Sequence, residues 1–354
     1  AEGTLMTGLK SNSGNFFEDF KPGDTLVHAT PQTLTGGDLA LYRALNGSRF
    51  AQYSSAEFAR AAGLPGLCAD PLHAFHIVFG KSVPDISLNA VANLGYADGR
   101  FLRPVVPGDT LRATSEVIGV KENSNGKTGV VWVRTNGTNQ YGETVLNYVR
   151  WVMVNKRDPN TPAPVAVVPD LPAVVSAKDL SGFPEMKAWN FADAGSRHVY
   201  EDYEIGEKIN HADGMTIQEA EHQIATRLYQ NTAKVHFDFH GQKESRFGKR
   251  LIYGGVVISI ARSLAFNGLA NAGQILAINA GSHVSPLFAW DTIYAWSEVL
   301  DKAELSETCG ALRLRLVAVK DQDPGAFAYK DAAGKYAEGV LLDFDYWAAI
   351  PRAR

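Results

Sequence analysis

"FEDFKPGDTLVHATPQTLT" (residues 17–35) and "YEDYEIGEKINHADGMTIQ" (residues 200–218) align without a gap, and that match decides how the chain is organised. His28 falls on His211 and Thr33 on Thr216 at one common offset. Further on, "RPVVPGDTL" (103–111) answers "SPLFAWDTI" (285–293), and near the ends "NYVRWVMV" answers "DFDYWAAI". Matched segments kept in one order are the mark of a duplicated unit. A length of 354 residues also suits two domains better than one. The halves are placed at 1–157 and 199–354, with 158–198 between them.

The joining stretch carries Pro159, Pro162, Pro164, Pro169, Pro172 and Pro184. That density excludes regular helix or sheet and predicts an extended linker, laid along the surface by its valines. Each half then repeats one anatomy. A helical stretch, "GDLALYRAL" or "EAEHQIATRLY", is followed by a longer apolar one, "DPLHAFHIVFG" or "GGVVISIARSLAFNGL". In the last, Ile258, Ala261, Leu264 and Ala265 fall at helical spacing. Strand-like runs come next: "TLRATSEVIGV", "TGVVWVRTNG" and "TVLNYVRWVMV", then "TIYAWSEVL", "ALRLRLVAV" and "GVLLDFDYWAAI". The predicted class is α+β, with a curved antiparallel sheet around one long central helix in each half.

Composition narrows the function. A net charge of -4 argues against a general nucleic-acid or membrane-surface partner, and no apolar run is long enough to span a bilayer. The polar start, "AEGTLMTGLKSNSGN", lacks the pattern of a signal peptide and reads as a tail. Cys68 and Cys309 make no disulfide framework and no cysteine zinc site, so a reducing cytoplasm is expected.

Within "LYQNTAKVHFDFHG" (228–241), His236, Asp238 and His240 stand at every second position. As a strand they would share one face and resemble metal ligands. As a loop or helix start they would not.

Several of these segments resemble the MaoC-like hydratases, which have the hotdog fold. The resemblance rests on His236-Phe237-Asp238, on Tyr253-Gly254-Gly255 at the head of the long helix, and on "RPVVPGDTL". It covers nearly the whole chain outside tail and linker. It implies a tandem hotdog with a degenerate, pocket-forming first half and a catalytic second half. It also implies reversible hydration of a branched C5 enoyl-CoA that carries a carboxylate. No cofactor is then expected beyond the CoA of the substrate, no metal is needed, and a homodimer or higher homo-oligomer is expected.

Hydration of an enoyl thioester needs a base for water, an acid for the α carbon, and donors for the thioester oxygen. His236 suits the first task. The resemblance implies a partner Asp five residues earlier, but that position is Asn231, which cannot exchange a proton. Asn231 is therefore expected to orient water or the imidazole, meeting His236 across the turn, with Asp238 as a second helper. Gly254 and Gly255 would offer free helix-end N–H groups to the oxygen. In the first half, Tyr53 stands where His236 stands, and Asp70-Pro71 caps the helix end, so that half lacks a base and has its oxyanion site plugged. His73 and His76 read there as packing or surface residues. For the substrate's carboxylate, Arg49, Arg246, Lys243 and Arg262 are candidates, and "GKR" (248–250) is one for CoA's phosphates. The rival readings are a hotdog acyl-CoA thioesterase, a metal enzyme built on the three alternating side chains, and a non-catalytic acyl-CoA binding module.

Overall fold

The structure, a computed structural model, describes residues 10–353, so most of the expected polar tail lies outside the described residues. Ten strands form one antiparallel sheet. β1 (Thr25–Thr33), β2 (Ala90–Phe101), β3 (Thr110–Glu122), β4 (Thr128–Thr138) and β5 (Thr144–Asn155) come from the first half. β6 (Lys208–Thr216), β7 (Gln274–His283), β8 (Thr292–Glu304), β9 (Cys309–Lys320) and β10 (Val340–Pro351) come from the second. Their order, β1-β3-β4-β5-β2-β7-β10-β9-β8-β6, is two copies of one five-stranded pattern joined through β2 and β7. The join pairs Tyr96 with Gly281 and Ala97 with Ala280.

Four helices of eight residues or more lie against this sheet: α1 (Gly36–Asn46), α2 (Pro71–Ile86), α3 (Glu219–Leu228) and α4 (Gly254–Leu264). α2 packs on β3, β1 and β4, while α4 packs on β8, β9, β6 and β10, giving each half one wrapped central helix. Both are buried on nearly all sides, as their continuous apolar composition requires. The two halves together form the tandem hotdog that the sequence predicts.

The repeat is also visible in detail. β1 and β6 bury the same positions in the same order. His28 Nε2 meets Ser115 Oγ at 2.7 Å, and His211 Nε2 meets Ser297 Oγ at 2.8 Å. Asp109 accepts the Val106 N–H, and Asp291 accepts the Phe288 N–H, each at 2.9 Å.

Three features differ from the sequence reading. The alternating runs are β3, β4, β5, β8, β9 and β10, but β2 and β7, the strands that join the halves, are not among them. β2 holds Gly95, Asp98 and Gly99, which disguise it. The linker, secondly, is more than a surface strap. Val175, Leu180, Met186 and Trp189 are buried with Leu276, Cys309 and Trp347. The Val175 N–H donates to Asn279 Oδ1 (2.9 Å), and Trp347 Nε1 donates to the Val175 carbonyl (3.0 Å). Finally, α4 stops at Leu264, because Gly268 takes a left-handed φ of 105°. The break exposes the carbonyls of Asn267 and Gly268 to His211 and Tyr203.

α2 crosses the loop after α3 at Gly80, where a Cβ would run into the Tyr229 carbonyl and the Asn231 N–H. Gly80→Ala should therefore lower stability by about 1–3 kcal/mol through overpacking. The check is the urea midpoint at unchanged m value.

Candidate active site

The segment "HFDFH" is not a strand. Lys234–Phe237 and Phe239–Gln242 are two single helical turns, separated by Asp238 at φ −91°, ψ 85°. Asp238 caps the second turn by accepting the Gly241 N–H at 2.9 Å. It is thus committed to local structure, and the helping role expected of it has no contact to support it. His240 is exposed, and it sits on the turn beyond the break at Asp238.

His236 lies under the N-terminus of α4. Its Nδ1 donates to the Leu251 carbonyl at 2.8 Å, which fixes the tautomer and leaves the lone pair on Nε2. The ring centroid is 5.5 Å from that of Tyr253 and 5.9 Å from that of His222. The side chain is only half-buried by area, so water can reach an edge, yet the ring sits deep enough for burial to push its pKa down to about 4.

The helix start is built around its missing side chains. Tyr253 is the N-cap, and its N–H is taken by His222 Nε2 at 2.8 Å. The Val256 N–H turns back to the Tyr253 carbonyl. The N–H groups of Gly254 and Gly255 have no acceptor among the described residues and sit at the positive end of the helix. A Cβ on Gly254 would strike the His283 imidazole, and one on Gly255 would strike the Tyr253 ring and His76. Glycine is thus required here for packing as well as for access.

The side chains that surround this pair come from both halves. His283 Nε2 and Tyr96 Oη lie 3.0 Å apart across the β2–β7 join. Tyr253 Oη meets His76 Nδ1 at 3.3 Å, His76 Nε2 meets Ser259 Oγ at 2.8 Å, and Ser259 Oγ meets Tyr42 Oη at 2.8 Å. His76 is fully buried and joins the first half to the site, rather than packing inertly. His222, His283 and Tyr96 escape the sequence reading. No local motif marks them, because only the strand pairing brings them to Gly254.

Among the described residues no hydrogen bond joins Asn231 to His236. Asn231 Oδ1 accepts the Ala233 N–H at 3.0 Å, which orients the amide and leaves Nδ2 without a protein partner among the described residues. Arg49 lies at the wrong end of α4. It stacks over Phe266 (4.5 Å) and pairs with Asp213 at 3.9 Å, beyond the C-terminus of that helix, so a direct role at the Gly254 end is ruled out by position. Arg262 is likewise spent on the Ala272 and Gly273 carbonyls (3.1 and 3.0 Å). Arg246 is exposed, stacked over Phe247, in a cationic loop with Lys243 and with Lys249 over Phe288. That loop leads directly into Leu251, the residue that holds His236.

In the first half the corresponding place is closed. Asp70 Oδ1 accepts the Leu72 N–H at 2.9 Å, and burial pushes the carboxyl up to about 6. The cavity there, lined by Tyr53, Cys68 and Pro71, is about 30 Å³, room for water but not for an acyl group.

A family model described as mesaconyl-CoA hydratase matches residues 6–170. The chain is 60% identical over 347 residues to the β-methylmalyl-CoA dehydratase of Chloroflexus aurantiacus, covering 97% of this chain and 99% of that protein. It is also 60% identical over 348 residues to the mesaconyl-CoA hydratase of Cereibacter sphaeroides, covering 97% and 100%. The crystal structure of a MaoC domain protein dehydratase from Chloroflexus aurantiacus superposes with a TM-score of 0.96 at 59% identity, over 98% of this chain and 100% of that one.

Burial lowers seven histidines: His28, then His76 and His222 to about 3, and His73, His211, His236 and His283 to about 4. In the unfolded chain each takes up a proton below about pH 6.5. Their neutral burial therefore stabilises fully above that pH, and the gain is lost as pH falls toward the folded values. The slope is about 1.4 kcal/mol per pH unit for each histidine. Thermal unfolding should show a much lower midpoint at pH 5 than at pH 7.5; an unchanged midpoint would count against neutral burial.

Proposed function

The chain belongs to the mesaconyl-CoA hydratase family, and from that premise we propose that it reversibly adds water to mesaconyl-CoA to give β-methylmalyl-CoA. The observation that carries the reading is the meeting of His236 with the open end of α4. One supplies a lone pair on Nε2, and the other supplies two unpartnered N–H groups. In this reading the thioester oxygen rests on Gly254 and Gly255. His236 takes a proton from water as the hydroxide adds to the β carbon. The negative charge that develops on the thioester oxygen is held by the helix end. The α carbon then takes the proton back from the imidazolium, so water is divided across the double bond and no proton is consumed. Asn231 Nδ2 holds the water for attack. Arg246, with Lys243 and Lys249, forms the rim that receives CoA's phosphates. The reaction uses no cofactor beyond the substrate's CoA, and the enzyme works in the cytoplasm as a homo-oligomer, a state that sedimentation would check.

His236→Ala should lower kcat by about 10²- to 10⁴-fold while CoA-thioester binding persists. Intact turnover would remove His236 from the mechanism. Because its pKa is held near 4, the hydration rate should stay flat from pH 8 down to about 5 and fall only below that, where the base becomes protonated. Asn231→Asp retains the acceptor for the Ala233 N–H, so the fold should hold, but turnover should fall by about tenfold or more through loss of the amide donor. Equal or faster turnover would show that the amide protons are dispensable.

A further inference from the structure

Arg150, on β5, is an arginine with almost nothing to bind. It is 1% exposed. Its Nη2 donates to Ser82 Oγ at 2.9 Å and more distantly to Ser87 Oγ at 3.3 Å, and its Nε has no partner. The nearest acidic residue on α2, Asp85, is engaged by His28 Nδ1 at 2.7 Å instead. The guanidinium lies over the Phe79 ring at 4.2 Å. A cation buried with only two neutral hydroxyls and an aromatic face is poorly compensated, and an anion would complete it.

Its position says which anion. Arg150 is the direct register partner of Tyr96, whose hydroxyl meets the His283 imidazole that abuts Gly254. Phe79, beneath the guanidinium, is 5.6 Å from the Tyr253 ring. Arg150 is therefore one aromatic layer from the helix end, on the first-half side of the site. Its charge is felt by the phenols of Tyr96, Tyr148 and Tyr253. The Tyr148 hydroxyl also lacks a partner.

The repeat supplies the control. Tyr346 matches Arg150 in the strand alignment, and Arg262 matches Phe79 in the helix alignment, so the same cation–aromatic stack occurs with its members exchanged. Arg262 is satisfied by two carbonyls and the Tyr346 hydroxyl. Arg150 has no such carbonyls. We infer that Arg150 is the specificity residue that receives the free carboxylate of the acyl group, through the fork geometry that matches a carboxylate. This rests on the mesaconyl-CoA reading above, since it presumes an acyl group that ends in a carboxylate.

The test is equilibrium binding of two unreactive saturated thioesters, methylsuccinyl-CoA and 2-methylbutyryl-CoA, which differ by a carboxylate against a methyl. The wild-type protein should prefer the first by about 30-fold or more, and Arg150→Met should abolish the preference. If Arg150 only fills the core, both ligands weaken together and the preference survives, which overturns the inference. So does a wild-type protein with no preference. Should Arg150→Met fail to fold, the pair Ser82→Ala and Ser87→Ala loosens the guanidinium instead. The preference should then shrink, and an unchanged one overturns the inference equally. Wild-type turnover of mesaconyl-CoA, measured alongside, tests the hydratase reading separately. Turnover with no carboxylate preference sinks only Arg150; absence of turnover sinks the reading and the inference with it.

Discussion

The pairing of β2 with β7 is the constraint on which the rest depends. It joins two five-stranded units into one sheet at Tyr96–Gly281 and Ala97–Ala280. It thereby carries Tyr96 of the first half to His283 of the second, and His283 to the head of α4. Without that register, α4 would still begin with two glycines, but nothing would enclose the space above them. The site therefore belongs to the join as much as to the second half. His76 on α2 makes the same point, since its two ring nitrogens face Tyr253 and Ser259 on the other unit.

Duplication allowed the two helix ends to diverge. At α2 an aspartate caps the first turn and satisfies a donor. At α4 the cap is Tyr253, whose side chain makes no capping bond, and the donors stay open. A capped end is more stable by about 1 kcal/mol. The open end forgoes that stabilisation, and on the proposed mechanism a bound oxygen would complete it. Likewise, a stacked arginine is fully bonded in one copy and left wanting in the other. The less satisfied members are linked through Phe79, which carries Arg150 on its face and lies 5.6 Å from the Tyr253 ring at α4's head.

Most of the fold was legible in the sequence, because the repeat, the alternating strands and the two apolar helices are local or near-local patterns. β2 and β7 were not, since their glycines and Asp98 weaken the alternation that marks a half-exposed strand. The candidate site was legible where it lies in a contiguous motif: His236, and Tyr253 to Gly255. It was not legible where residues converge from separate elements, as His222, His283, Tyr96 and Arg150 do. Arg49 illustrates the converse. Proximity in sequence suggested it for the substrate's carboxylate, but it stacks on Phe266, past the end of α4 rather than at its start.

In the proposed reaction, the substrate's own charge gives a physical reason for Asn231. When water adds to mesaconyl-CoA, the β carbon itself bears the substrate's carboxylate. A catalytic aspartate beside that carbon would face a second anion about 5 Å away, an interaction that costs about 3 kcal/mol at an effective dielectric of 20. Four enclosing imidazoles are held neutral by burial, so on the inference above the single cation Arg150 would face two anions. An asparagine keeps the shape of the turn through its contact with the Ala233 N–H and, on the proposed mechanism, would offer the water a donor rather than a charge. On that mechanism the base function would fall to His236 alone. In this reading the substrate itself brings the one carboxylate that Arg150 can pair, and the position five residues before His236 adds none.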